Sequence, residues 1–285
     1  MQESLSTSPV LLQMEHISKN FGATCALDDV NFVLQRGEVH ALIGENGAGK
    51  STLVKILSGA IKPDFGSMRL EGKLFLPLNP LNSRKNGISM IYQELNLAPD
   101  LTVEENILLG REIHKLGFLE RKKMLQEANR ALELIHHSEI LPHLPVKKLS
   151  VGAKQVVEIS RALIGEAKIL VMDEPTSSLT QEDTKRLFQI IERLKNQGVS
   201  IIYISHFLEE VQEVADRFTV LRDGKKIHTG PMEDASLDDL VQMMVGQKLI
   251  EMFPRVEHEI GNVVLGLNGL KGTRMQAGID MSLRR

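Results

Sequence analysis

The chain has very little cysteine. Cys25 stands alone among 285 residues, so no intramolecular disulfide forms, which fits a reducing compartment. Cys25 itself reads as a small, part-buried thiol. No stretch reaches the ~18 uninterrupted apolar residues of a membrane helix. The longest apolar runs, around Ile169–Met172 and Val199–Ile204, have the length of buried strands. Met1-Gln2-Glu3-Ser4-Leu5 has neither the basic nor the apolar region of a secretory signal. The expected location is the cytosol; work at a membrane would require docking onto other subunits. Basic residues form no stripe and the net charge is -3, which argues against a nucleic-acid binder.

What is present is an ordinary globular composition, 42% hydrophobic and 25% charged, in a chain long enough for one large α/β domain with a substantial core, or for one domain plus a fragment. Residues 1–8 read as a disordered tail. Leu11–Ile17 and Asp28–Leu34 alternate as half-exposed strands, and Val39–Ile43 is a short buried one. Residues 120–135 carry apolar positions at helical spacing and end in His136-His137, which read as solvent-exposed histidines at a helix end. Helix-like segments at 153–165 and Gln181–Lys195 alternate with the buried strands Ile169–Met172 and Val199–Ser205, the pattern of a parallel α/β sheet. Val220–Ile227 reads as a hairpin turning at Asp223-Gly224.

After Gly246, residues 247–262 read as a linker, and then the start of the chain is partly repeated. Val263–Leu267 resembles the first strand, and Ile279–Arg285 resembles Val30–Arg36.

Gly44-Glu45-Asn46-Gly47-Ala48-Gly49-Lys50-Ser51 matches the phosphate-loop pattern, with a buried strand before it and a helix, beginning at Ser51-Thr52, after it. Small residues let successive N–H groups wrap a polyphosphate, and the helix adds its positive end. Lys50 is placed to reach the β- and γ-phosphates and Ser51 to hold Mg2+. The loop alone says only nucleotide. The strand Ile169–Met172 ends in Asp173-Glu174, acids that an apolar strand cannot keep buried unpaired. Asp173 is placed for the metal and Glu174 for deprotonating an attacking water, with Pro175-Thr176 fixing the turn.

Leu149-Ser150-Val151-Gly152-Ala153-Lys154-Gln155, lying between the loop and the acidic strand, resembles the signature motif of the ABC-type ATPases, with Val151 and Ala153 replacing the usual Gly and Gln. Gln93 resembles that family's Q-loop glutamine, which senses Mg2+ and the γ-phosphate. Ser177-Ser178-Leu179-Thr180 occupies the D-loop position, with Thr180 in place of the usual Asp. His206 resembles the switch histidine; read alone it is an ordinary strand-end histidine. Phe21 stands where the family's adenine-stacking aromatic lies, and equally fits a core position.

The resemblance covers roughly residues 10–246. It implies an α/β P-loop NTPase of the ABC type, with a helical subdomain bearing the signature and an antiparallel β subdomain, over residues 9–246. It implies ATP and Mg2+ as ligands, Glu174, His206 and Gln93 as catalytic residues, and Ser51, Gln93 and Asp173 around the metal. Ser150, Val151 and Gly152 contact the ATP of a partner domain in that family. Ile91–Leu95, Val157–Ile159 and Glu174–Thr180 are similar to the bacterial monosaccharide importers of the ribose, xylose and galactose type, in which one chain carries two ATPase domains. Residues 263–285 are then expected to be the truncated start of a second domain, too short for a sheet of its own. The implied partners are membrane permease subunits, a second ATPase domain (tandem half or homodimer) and, indirectly, a periplasmic sugar-binding protein, with no nucleic acid. The implied place is the cytoplasmic face of the inner membrane. The alternative is a soluble, non-transport ABC ATPase acting on ribosomes or DNA.

Overall fold

A computed structural model describes residues 9–115, 117–246, 261–272 and 278–284. The tail expected at 1–8 and most of the expected linker lie outside the described residues. The chain forms two units, residues 1–247 and 248–285.

The first unit opens with long strands, β1 (Val10–Phe21) and β2 (Thr24–Gln35), followed by β3 (Val39–Ile43) and α1 (Lys50–Leu57). β4 (Phe65–Leu70), β5 (Lys73–Leu74), α2 (Pro80–Lys85) and β6 (Ile88–Ile91) come next. A helical stretch holds α3 (Val103–Ile107), the small pair β7 (His114–Lys115) and β8 (Phe118–Leu119), α4 (Arg121–Leu134) and α5 (Val151–Leu163). The chain then alternates β9 (Ile169–Asp173), α6 (Gln181–Asn196), β10 (Ser200–Ile204) and α7 (Leu208–Val214). It closes with β11 (Arg217–Arg222), β12 (Lys225–Pro231) and α8 (Leu237–Val245). Asp223 and Gly224 both have positive φ, as the tight turn between β11 and β12 requires. No helix among the described residues is long and apolar enough to cross a membrane.

Apart from the β7–β8 pair, the strands of the first unit form two sheets. One is antiparallel, in the order β2-β1-β4-β5; the other runs β12-β11-β3-β10-β9-β6 and is parallel except at the β12 edge. The parallel strands are nearly continuous apolar runs because both faces are covered. Their two-residue period divides the core. Leu170, Met172, Ile201 and Tyr203 pack with the helical side, whereas Ile169, Val171, Ile202 and Ile204 pack with α1 and the antiparallel sheet. A polar clamp joins the two sheets: Glu71, between β4 and β5, accepts from Arg36 at 2.6 Å and from Lys168, just before β9, at 2.7 Å.

Lys168 and Arg36 hold the Glu71 carboxyl at about 2, down from 4.5. A carboxyl depressed in the folded state stabilises the fold above its unfolded value and loses that contribution as it protonates. Glu71→Gln is therefore expected to lower stability by about 1 kcal/mol at neutral pH, the site being partly screened by solvent. The deficit should shrink as pH falls below 4.5 and vanish near 2. Urea midpoints of both proteins across that range check it; a deficit independent of pH would rule out the charge clamp.

Several expectations are corrected locally. Cys25 is exposed, lying across from Asn20 beside the turn of the β1–β2 hairpin. His137 is not solvent-exposed like His136: it is half-buried and meets Glu139 at 2.7 Å through Nδ1.

In the second unit, β13 (Val263–Leu270) and β14 (Ile279–Arg284) pair as an antiparallel hairpin, where no sheet was expected. Its register repeats that of β1 and β2. Leu12↔Leu34, Met14↔Phe32 and Ile17↔Val30 correspond to Leu265↔Leu283, Leu267↔Met281 and Leu270↔Ile279, with the register shifts in the same places. Nearly all its side chains are exposed, so two strands alone bury no core of their own.

Candidate nucleotide site

The C-terminal ends of parallel strands are where an α/β sheet presents its loops to a ligand. Ile204 pairs with both Leu42 and Asp173, and Ile91 with Met172, so β3, β10, β9 and β6 end at one level. The segments that leave them are Gly44–Gly49, Ser205-His206, Glu174-Pro175 and Tyr92-Gln93. A cleft of about 900 Å³ opens there, lined by Gly44 through Thr52 without a gap and by Gln93, Asp173, Glu174 and His206. Residues separated by most of the sequence are thus brought to one site.

The loop's glycines are demanded by its geometry. Gly49 has φ 103° and caps α1; a Cβ there would lie 2.7 Å from both the Ala26 carbonyl oxygen and Leu27. At Gly44 a Cβ would run into the carbonyl of Leu221. Lys50 is buried, and its Nζ donates to the carbonyl oxygens of Gly44 at 2.7 Å and Glu45 at 3.0 Å. Burial pulls its pKa below the ordinary lysine value, and the carboxylates of Glu174 and Asp173 pull it back.

Asp173 is pushed upward, chiefly by burial and then by the Glu174 charge, with Lys50 and Lys55 opposing. Two acids, Ser51 and the Gln93 amide give this cleft hard oxygen donors and excess negative charge. Both features fit Mg2+, an ion held by few protein oxygens and by substrate phosphates rather than a protein cage. No cluster of three acidic, histidine or cysteine ligands exists among the described residues.

Glu174 has a positive φ of 47°, costly for a side chain with a Cβ. Its N–H donates to the Ile204 carbonyl at 2.9 Å, and its Oε1 lies 3.0 Å from His206 Nδ1. Behind the pair, Glu210 Oε2 accepts from Thr176 at 2.7 Å and from Tyr203 at 3.0 Å, which ties the turn after Glu174 to the end of β10. Glu210 and Tyr203 were not singled out from sequence; a tyrosine in a buried strand, needing a partner for its hydroxyl, was the available signal. Ala26 and Met244 also line the cleft, from β2 and α8, and nothing in the local sequence marks them.

Other residues lie elsewhere. Phe21 is half exposed, so it is no core residue, but it does not line the cleft; Lys19 stands 5.6 Å over its ring. Ser150 caps α5, its side chain accepting from the Ala153 N–H at 3.2 Å. Ser150 and Gly152 border a separate pocket of about 210 Å³, and Val151 a groove of about 560 Å³ that also contains Gln93 and Ser177-Ser178. None of the three signature residues lines the phosphate-loop cleft.

A phosphate loop facing a strand-end acid pair, a glutamine and a histidine, with a capped signature helix outside the cleft, defines an ATP-binding cassette. Residues 27–177 match the family model for the ABC transporter, and the chain belongs to that family. It is 49% identical over 261 residues to a ribose import ATP-binding protein, RbsA, of Caldanaerobacter subterraneus, covering 91% of this chain and 52% of that protein. It is 47% identical over 276 residues to ribose import ATP-binding protein RbsA 1 of Rubrobacter xylanophilus, covering 96% and 54%. The chain spans about half the length of the curated relatives it matches. Among solved structures it resembles the ADP conformation of an ATP-binding cassette of an ABC transporter. There the TM-score is 0.75 at 29% identity, with 84% of this chain and all of the other covered. A nucleotide-free cassette from an ABC transporter gives 0.72 at 28%, covering 84% and 96%.

Proposed function

We propose that this chain hydrolyses MgATP to energise an importer of a monosaccharide at the cytoplasmic face of the membrane. The observation that carries the chemistry is the Glu174–His206 pair, 3.0 Å apart in the cleft that holds the phosphate loop. Water attacks the γ-phosphorus, its proton passes to Glu174, and the bond to the β-phosphate oxygen breaks to leave ADP and phosphate. His206 keeps the carboxylate oriented, and Lys50 and the N–H groups of the loop hold the phosphates. Ser51, Gln93 and Asp173 would hold Mg2+, which supplies charge neutralisation on the phosphates.

The names of the similar proteins support sugar import, with permease subunits as the membrane partners and a sugar-binding protein acting through them. Gln93 lines both the nucleotide cleft and the neighbouring groove, so it suits passing the state of the γ-phosphate to a docked subunit. Copurification with a permease, against a nucleic-acid control, tests this part.

The signature residues do not line the cleft of their own chain, which supports a site completed by a second domain. The matching registers of β1–β2 and β13–β14 support the reading that residues 263–285 begin a second copy of the antiparallel subdomain. The purified chain is expected to be monomeric and weakly active. Glu174→Gln with ATP should form a head-to-tail homodimer, each copy offering its signature to the other's nucleotide. Light scattering with and without ATP decides this. A dimer that is stable without nucleotide, or fast turnover by a monomer, would overturn the composite site.

A further inference from the structure

Away from the nucleotide cleft, and sharing no lining residue with it, a cavity of about 170 Å³ lies between α2, β6 and α5. Three side chains on its wall each keep a buried polar atom without a well-formed hydrogen bond, Nη2 of Arg84, Oγ of Ser89 and Oε1 of Glu158, although the Asn96 N–H also acts on the Glu158 carboxyl. Ser89 is 5% exposed and Glu158 4%. Buried polar groups are almost always paired, so three orphans around one space ask for a ligand that pairs them.

The wall itself is fixed. Arg161 donates from Nη2 to the other oxygen of Glu158 at 2.6 Å and from Nη1 to the Asn96 carbonyl at 2.9 Å. Burial pushes the Glu158 carboxyl upward, with Arg161, the Asn96 amide and Arg84 opposing. The orphan atoms then specify the ligand. Glu158 Oε1 requires a donor, Arg84 Nη2 an acceptor, and Ser89 accepts either. A carboxylate could serve Arg84 but would offer Glu158 only repulsion, and a phosphate, although its O–H can donate, would set a further negative charge against Glu158. An ammonium could serve Glu158 but would face Arg84 and Arg161. A hydroxyl donates to one and accepts from the other. The volume is several times the ~30 Å³ that one water occupies in the liquid. Met90 and the Tyr92 ring, also on the wall, offer carbon surface for the C–H face of a small ring.

We infer that this cavity binds a small polyhydroxylated molecule of the monosaccharide class, held by hydroxyls bridging Glu158, Ser89 and Arg84. The ligand class comes from the orphan atoms and stands whether or not the chain serves an importer. Occupancy would touch two parts of the ATPase at once. Glu158 lies on α5, the helix that Ser150 caps, and Tyr92 immediately precedes Gln93.

Saturation-transfer NMR on the full chain tests the inference, with D-ribose, D-galactose and myo-inositol as probes and cyclohexanol and inorganic phosphate as controls. Transfer to the ring protons of at least one polyol is expected, and to neither control. Ser89→Ala should weaken that binding about tenfold, the usual effect of removing one buried hydrogen-bonding partner. It should leave the melting temperature of the sugar-free chain unchanged or raised, because it deletes an unpaired group. Glu158→Gln, which keeps the side chain's size, should also weaken binding and serves if Ser89→Ala does not fold. Affinity for a fluorescent ATP analogue should hold in both, which separates failure here from failure of the nucleotide site. Absence of transfer to every polyol, binding of phosphate alone, or unchanged polyol affinity in the variants would overturn it. So would a lower melting temperature of sugar-free Ser89→Ala, which would mean that ordered water already satisfies the hydroxyl.

Discussion

Glu174→Gln is expected to bind MgATP much as the parent chain does and to hydrolyse it at least ~100-fold more slowly, the low end of what a positioned general base supplies. The amide keeps the shape of the side chain. It can still meet His206 where the carboxylate does at 3.0 Å, and the backbone bond from residue 174 to Ile204 is untouched. What it loses is a site for the proton of the attacking water. The left-handed backbone at Glu174 is itself informative: a strained conformation persists where the surrounding structure enforces it, and here the Glu210 contacts to Thr176 and Tyr203 do so from behind. Single-turnover hydrolysis on the assembled, ATP-bound protein isolates the chemical step. A variant with the parent's rate would mean that another group activates the water, and Glu174 would be left with a role in holding charge near Asp173.

The fold was legible wherever a chemical demand is local. The phosphate loop needs glycine where a side chain would collide, a buried strand before it and a helix after it, and all three can be read from consecutive residues. The same holds for β9, whose apolar run stops at the two acids, and for the turn at Asp223-Gly224. Strand length was less legible. β1 runs on to Phe21 through Ser18, Lys19 and Asn20, polar residues that break the alternation; the register shifts around Ile17 and Lys19 absorb the break while main-chain pairing continues. Residues 263–285 were read as too few strands to build a sheet alone, yet β13 and β14 pair in the register of the first hairpin while nearly all their side chains stay exposed. Least legible were contributions that arise only from assembly. Ala26 and Met244 reach the cleft from opposite ends of the first unit, and no local pattern distinguishes them from any small or apolar residue. The orphan atoms of Arg84, Ser89 and Glu158 belong to the same class, since each residue is unremarkable until the others are beside it.

Lys50→Ala should weaken ATP binding strongly. The ammonium group sits among the loop's carbonyls, donating to Gly44 at 2.7 Å and Glu45 at 3.0 Å, and faces the acid pair of β9. That position places its charge at the phosphate end of the cleft and lets it trade loop carbonyls for phosphate oxygens without uncovering new surface. Hydrogen bonds to charged groups are worth more than neutral ones, so losing this donor should weaken ATP binding by roughly 10- to 100-fold. AMP, which lacks the β- and γ-phosphates, should be little affected. The two carbonyl oxygens lose their donor as well, and the acids lose their cation, so Asp173 and Glu174 should repel an incoming polyphosphate more strongly. Lys50→Arg separates the terms: it keeps the charge but puts a larger, planar group in a buried position, and should recover part of the affinity. Titration of both variants with a fluorescent ATP analogue measures the effect. Equal affinity in Lys50→Ala and the parent would remove the phosphate-loop assignment, and with it the reading of the whole cleft.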